Sequence, residues 1–268
     1  MTKSILIIAG SDSIAGAGMQ IDLKTAAAHG VYGTCAVTAV TAQSTTEVRH
    51  VVRLDPTFVC SQVATVFSDI VPDAIKIGML GSSSIAHALA EELAKHPETP
   101  VVLDPVLVAT TGGELTSDFA LPVIKEELIA RAALVTPNLP EAEALTGVEV
   151  VDDASAGACA ERFFALGARA VLIKGGHAAP ESQDIVDRLY ASDGTRSFHS
   201  KRLPGEFHGT GCALSTAIAC NLACGLPLEE AVAQARDFLA CALAHPIDLG
   251  HGTKLIDPLS YLDVENRA

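Results

Sequence analysis

Along the chain, short apolar runs alternate with longer stretches in which apolar residues recur every three to four positions. The run at residues 5–9 stops at Gly10-Ser11-Asp12, a Gly-rich turn follows to Gly18, and helical spacing then holds over residues 19–29 until Gly30. This predicts a strand, a loop and a helix. The same unit recurs. Residues 34–41 are β-branched and predict a strand, Asp55-Pro56 supplies an N-cap and first position for a helix to about residue 67, and Ala74–Ile77 is another short strand. Helical spacing over 83–96, the buried run Val101–Leu103, a helix over 119–130 and a strand at Leu134–Val135 continue the alternation, which then meets Pro137-Asn138. A helix over about 154–166 precedes the apolar run Ala170–Ile173.

The predicted strands are uniformly apolar, as parallel strands covered on both faces must be. Between residues 185 and 201 two runs flank Asp193-Gly194, which predicts a hairpin at one sheet edge. Two helices, over 212–223 and Leu228–Ala244, are expected to close the chain. No linker, repeat or charge run divides it. The expectation is one domain over residues 1–268, a three-layer α/β/α sandwich on a mostly parallel sheet, with ligands at the carboxyl ends of the strands.

Composition narrows the function. With 268 residues, 49% hydrophobic and 19% charged, the chain is an ordinary globular protein and not a collagen, a low-complexity chain or a disulfide miniprotein. Eighteen Lys and Arg against 32 Asp and Glu give a net charge of −14, which argues against nucleic acid and anionic membrane as partners. An anionic ligand must then be met by local donors or a metal. Seven scattered cysteines without a C-x-x-C pair predict reduced thiols. The first apolar run is too short for a signal peptide and no stretch approaches a membrane span, so a cytoplasmic protein is expected.

Common catalytic motifs are missing. No Gly-Lys dipeptide occurs, which excludes a P-loop, and Gly16-Ala17-Gly18 is followed by Ile21 where a dinucleotide fingerprint needs its third glycine. H-E-x-x-H, an EF-hand loop and G-x-S-x-G are also missing. Cys220 and Cys224 share a helix face with no further ligand nearby, which favours core packing over zinc.

The most informative stretch is His208-Gly209-Thr210-Gly211-Cys212, directly before an apolar helical run. Glycines at a helix start leave backbone N–H groups free and let a phosphate approach, with the helix dipole adding attraction. The same field favours the thiolate of Cys212. A flexible loop with a core cysteine explains these residues equally well when they are taken alone.

This loop does not stand alone. Together with Ala9-Gly10-Ser11-Asp12, the run from Gly16 to Thr25, Lys76-Ile77-Gly78-Met79-Leu80, Thr136-Pro137-Asn138-Leu139-Pro140-Glu141-Ala142 and Lys174-Gly175-Gly176-His177, it resembles the hydroxymethylpyrimidine/phosphomethylpyrimidine kinases of thiamine biosynthesis, in the ribokinase-like superfamily. The blocks follow in family order over nearly the whole chain. The resemblance implies ATP- and Mg²⁺-dependent phosphorylation of 4-amino-5-hydroxymethyl-2-methylpyrimidine and then of its monophosphate, by a homodimer. It makes Gly209, Thr210, Gly211 and Cys212 an anion hole, with Cys212 where related kinases carry an Asp base. Physically, four backbone amides can stabilise charge on a transferring phosphoryl group while positioning does most of the work.

The resemblance also places Asp22 at the pyrimidine pocket with Gly10 and Gln43, although an acid at a helix start is favoured by the dipole alone. Gln43, just past a strand end, can pair with a ring nitrogen and an exocyclic amine. Met79 and Val106 become apolar walls instead of ordinary core. Asp104, ending a strand, can attract Mg²⁺ or be a turn-former before Pro105. Asn138 and Glu141 either cap the helix at Pro140 or lie near the nucleotide, and Lys174 is aimed as a phosphate-binding cation. Ser13-Ile14-Ala15, Ser44-Thr45-Thr46-Glu47-Val48 and Phe207 depart from the family pattern near the substrate end. Two alternatives follow: a pyridoxine or pyridoxal kinase on the same frame, and a catalytically weak vitamin-binding protein. The loop over residues 110–117 is a candidate lid.

Overall fold

The structure, a computed structural model, describes residues 2–107, 120–177 and 184–265. Nine strands form one sheet in the order β3-β2-β1-β4-β5-β6-β7-β8-β9. They are β1 (Ser4–Ser11), β2 (Tyr32–Gln43), β3 (Val48–Arg53), β4 (Ala74–Ile77), β5 (Val101–Leu103), β6 (Leu134–Val135), β7 (Ala170–Ile173), β8 (Asp184–Ala191) and β9 (Gly194–Lys201). β2, β1, β4, β5, β6 and β7 run parallel, while β3, β8 and β9 join the edges antiparallel. The mostly parallel sheet and the edge hairpin agree with the pattern of the sequence.

Apolar alternation on β1 shows why both faces are covered. Leu6 and Ile8 pack with Val59 and Val63 of α2 (Pro56–Asp69), Ile85 and Leu89 of α3 (Ser83–Leu93) and Phe163 of α6 (Asp153–Ala165). Ile5, Ile7 and Ala9 turn the other way, toward Met19 and Ala26 of α1 (Gly18–Ala28) and Cys220 of α7 (Thr210–Ala223). α8 (Leu228–Ala244) completes that second layer through Val232 and Phe238. Three layers result, as expected from runs that are apolar on both sides.

Local chemistry explains the helix starts. Asp55 accepts N–H bonds from Thr57 and Phe58 with Pro56 at the first position, and Asn138 and Glu141 form a capping box at α5 (Leu139–Thr146). The helix expected over 119–130 is instead a short α4 (Ala120–Val123) that continues as a π turn, Ile124–Leu128, and a 3₁₀ turn, Ile129–Arg131. Phe119 and the candidate lid lie outside the described residues. Nor do two helices end the chain. After α8 come β11 (Lys254–Leu255), paired with β10 (Phe207–His208), and then α9 (Ser260–Glu265). These elements are too short for hydrophobic periodicity to announce them. All seven cysteines are free; Cys220 is core, as its spacing suggested, but Cys224, one turn on, is exposed at the helix end and not core as expected.

Candidate active site

The functional residues converge on the carboxyl ends of β1, β4, β5 and β7. β1 crosses over to β2 on one side while β4 lies on the other, so loops leaving neighbouring strands diverge and open a crevice. Two helices begin there without side-chain caps, α1 after Ala17 and α7 after Gly209. At α7 the first N–H groups are therefore left for a ligand, whereas at α1 the Gly18 N–H is engaged by Cys212. The two caps touch. Gly209 is left-handed at φ 78°, and a Cβ on it would stand 2.0 Å from the Gly16 carbonyl oxygen, so no other residue fits.

Cys212 lies in the first turn of α7, and the Gly18 N–H at the start of α1 donates to its sulfur. The sequence suggested a thiol biased to the thiolate, but the structure reverses this. Burial pushes the Cys212 thiol up to about 11, with the Asp22 and Asp104 carboxylates adding to the effect and the Lys76 ammonium opposing it. The dipole is outweighed because an enclosed thiolate loses its hydration.

Beneath this thiol, Lys76 Nζ and Asp22 Oδ2 are 2.7 Å apart, and both side chains are 0% exposed. Thr216 Oγ1 donates to Asp22 Oδ1 at 2.7 Å. Burial alone would strip Lys76 of its proton, but Asp22 outweighs it and holds the ammonium charged. Asp22 therefore lies fully buried with both oxygens engaged, which its position at a helix start did not reveal.

On the other side, Lys174 Nζ donates to Asp104 Oδ1 at 2.8 Å. A Cβ on Gly211 would lie 3.1 Å from Lys174 Nζ and 3.8 Å from Asp104 Oδ2, so cation and carboxylate both face the anion loop. Asn138 bridges to Lys174 across neighbouring chain segments. Burial raises Glu141 to about 7; Lys174 opposes that and Asp104 reinforces it. Asn138 and Glu141 thus cap α5 and at the same time flank Lys174.

The apolar walls also assemble. Met79 packs with Ala39, and the partly buried Val48, Val51 and Val106 close around them. A Cβ on Gly10 would stand 2.9 Å from Met79 Sδ. Gln43 ends β2 opposite Val48, at the rim of this cluster. Its partner opens the His208–Cys212 motif but had no role in the sequence reading: Gln43 Nε2 and His208 Nε2 are 2.7 Å apart, and His208 Nε2 lies 3.2 Å from Asp12 Oδ2. Their signal was their place beside the glycine loops, but nothing in the spacing says that the two loops touch.

Among the described residues no three His, Cys, Asp or Glu side chains form a metal cluster. Mg²⁺ needs fewer, since it keeps waters and phosphate oxygens around one or two carboxylates. Asp104 and Glu141 beside Lys174 fit that donor set.

A mostly parallel three-layer sandwich with a glycine loop at an uncapped helix start, a lysine and carboxylate beside it and a small apolar cluster nearby is the arrangement of a ribokinase-like phosphotransferase. A sequence model of the phosphomethylpyrimidine kinase family matches residues 12–257, and the chain belongs to that family. It is 41% identical to the hydroxymethylpyrimidine/phosphomethylpyrimidine kinase of Haemophilus influenzae, covering 93% of this chain and 94% of that protein. A thiamine biosynthesis bifunctional protein of Geobacter sulfurreducens is 46% identical over 93% of this chain, which spans only 51% of that relative's length. Among solved structures, a pyridoxal kinase of Bacillus subtilis in complex with ADP superposes with a TM-score of 0.88 at 31% identity, covering 98% of this chain and 100% of the other. A phosphomethylpyrimidine kinase of Clostridium difficile reaches 0.80 at 37% identity, covering 90% and 100%. The ribokinase-like architecture and the kinase class expected from the sequence are thereby shown.

Proposed function

We propose that the enzyme transfers the γ-phosphoryl group of ATP to the hydroxymethyl group of 4-amino-5-hydroxymethyl-2-methylpyrimidine and then to the resulting monophosphate. One observation carries the reading: the Gly209–Cys212 loop meets the Lys174–Asp104 pair at Gly211, while His208 just before it touches Gln43, and Gly10 lies against the Met79 and Val106 cluster. Acceptor and donor can thus meet at the start of α7.

In this reading the amides of Gly209, Thr210, Gly211 and Cys212 receive charge that develops on the phosphoryl oxygens, and Lys174 neutralises it further. Cys212 faces the acceptor hydroxyl. Because its thiol is neutral in the free enzyme, it must first lose its own proton to solvent; the thiolate, favoured by Lys76, then takes the hydroxyl proton as the acceptor oxygen bonds to the γ-phosphorus and the bond to ADP breaks. Asp22 acts through Lys76 and Thr216, and Met79 and Val106 sandwich the ring. Asn138 and Glu141 orient the nucleotide, and Asp104 with Glu141 would hold Mg²⁺. That ion supplies charge neutralisation between the phosphates when bound. We read the chain as one kinase domain, and its free thiols favour a cytoplasmic setting. No described helix is long and apolar enough to cross a membrane.

The test is ADP release from Mg²⁺-ATP with the hydroxymethylpyrimidine, its monophosphate and pyridoxine, with Cys212→Ala in parallel. Turnover of both pyrimidines is expected, with kcat in the variant falling by about 10²–10⁴ and binding preserved. Turnover of pyridoxine alone would favour the second reading, which the pyridoxal kinase superposition supports. Full turnover by the variant would remove Cys212 from the chemistry.

A further inference from the structure

His208 is 2% exposed, and its ring nitrogen Nε2 is shared between two neighbours, Asp12 Oδ2 at 3.2 Å and the Gln43 amide at 2.7 Å. Its other nitrogen, Nδ1, is buried with no hydrogen-bond partner among the described residues. The ring is seated against Gly16, where a Cβ would stand 2.7 Å from His208 Cδ2. Such a histidine has its tautomer chosen for it.

Asp12 makes the choice. Its carboxylate already accepts N–H bonds from Ile14, Gly16 and Ala17. Burial alone would raise its pKa, but His208 and these backbone donors outweigh that and hold it below the usual carboxylate range. An ionised carboxylate only accepts, so the nitrogen facing it must carry a proton. Independently, a proton on Nδ1 would be a buried donor without an acceptor, which costs more than an unpaired lone pair there. Both arguments give the Nε2–H tautomer.

A protonated Nε2 cannot accept from Gln43. The amide must therefore present Oε1 to the ring, since rotation by 180° about its last bond exchanges oxygen and nitrogen without changing its shape. The NH₂ group then takes the other position of the amide, facing away from the His208 ring. We propose that His208, locked by Asp12, is a positioning residue that makes Gln43 an obligate donor, so that the pocket selects a heteroaromatic alcohol offering a ring-nitrogen lone pair to Gln43. This rests on the pyrimidine-pocket reading above and specifies how that pocket recognises its ring.

Two measurements test it. In ¹⁵N-histidine spectra of the full-length enzyme, His208, assigned by its loss in His208→Gln, should show a protonated Nε2 and a pyridine-type Nδ1. The opposite tautomer would overturn the proposal even if no variant folds. In kinetics, the wild type should prefer the pyrimidine over the analogue with the Gln43-facing ring nitrogen replaced by C–H by about ten- to a hundredfold in kcat/KM. His208→Leu should abolish that preference by raising KM for the pyrimidine, leaving KM for ATP unchanged. His208→Gln, whose amide can place a donor near Nε2, should restore it. An undiminished preference in His208→Leu would refute the positioning role. Failure of the wild type to turn over any pyrimidine would instead refute the pocket assignment.

Discussion

Asp12 looks in the sequence like one more polar residue of a Gly-rich turn, yet it organises the first loop. Three backbone N–H groups and His208 converge on its carboxylate, while Ala15 in the same loop takes a left-handed φ of 57° that glycine would adopt more easily. Because its folded pKa is lowered, Asp12 contributes stability above the unfolded value and loses it as pH falls through the folded one. Asp12→Asn should therefore unfold more readily than wild type at pH 7, by about 1.5–3 kcal/mol. The gap should begin to narrow as pH falls below about 4 and close only below the lowered folded pKa. Denaturant titrations at both pH values check this; a gap independent of pH would mean that the charge contributes nothing. Gly10, Gln43 and Lys174 were legible because each ends a predicted strand, where ligands of such sheets bind. His208 was not, since the value of a histidine depends on partners 165 and 196 positions away in sequence.

At the scale of elements, the Lys76–Asp22–Thr216 cluster ties β4 to α1 and α7 behind the site. Removing one partner of such a pair leaves an uncompensated buried charge, whereas removing both does not. Lys76→Met should cost about 3–5 kcal/mol. Lys76→Met with Asp22→Leu should recover much of that loss in thermal unfolding, and equal instability of the single and double variants would show that the pair is not the cause. Predicted and observed elements agree most closely where apolar runs are buried on both faces, as in β4, β5 and β7. β3 escaped the sequence reading because most of its residues are exposed at the sheet edge, so no apolar run marks it. The segment after α4 escaped for another reason: its spacing is helical, but the backbone widens and then tightens where a regular helix was expected.

For the whole molecule, the C-terminal segment matters more than its weak pattern suggests. β11 pairs with β10, which carries His208, and the Thr45 carbonyl accepts the Thr253 N–H at 3.0 Å. Gly252 packs so closely that a Cβ would stand 2.0 Å from the Thr45 carbonyl oxygen. The last part of the chain thereby braces the turn in which the sequence departs from the family pattern. At the β3 edge of the sheet, Val52 and its cross-strand partner Val40 on β2 are 63% and 46% exposed. An exposed apolar sheet edge is costly unless covered. We therefore propose the homodimer that the family resemblance implies, with this edge as its contact. Sedimentation should give twice the 27.7 kDa chain mass, and Val52→Lys should halve it. A wild-type monomer would overturn the assignment.

By itself the sequence determined the layered α/β plan, the edge hairpin and the glycine loop at a helix start over Gly209–Cys212. Apolar periodicity and glycine placement are local properties, readable one segment at a time. Only the tertiary structure decided that Cys212 is a neutral thiol, that Asp22 is sealed beneath it by Lys76, and that His208 joins Asp12 to Gln43. Protonation and hydrogen bonding depend on burial and on groups brought together from distant parts of the chain, and neither exists until the chain has folded.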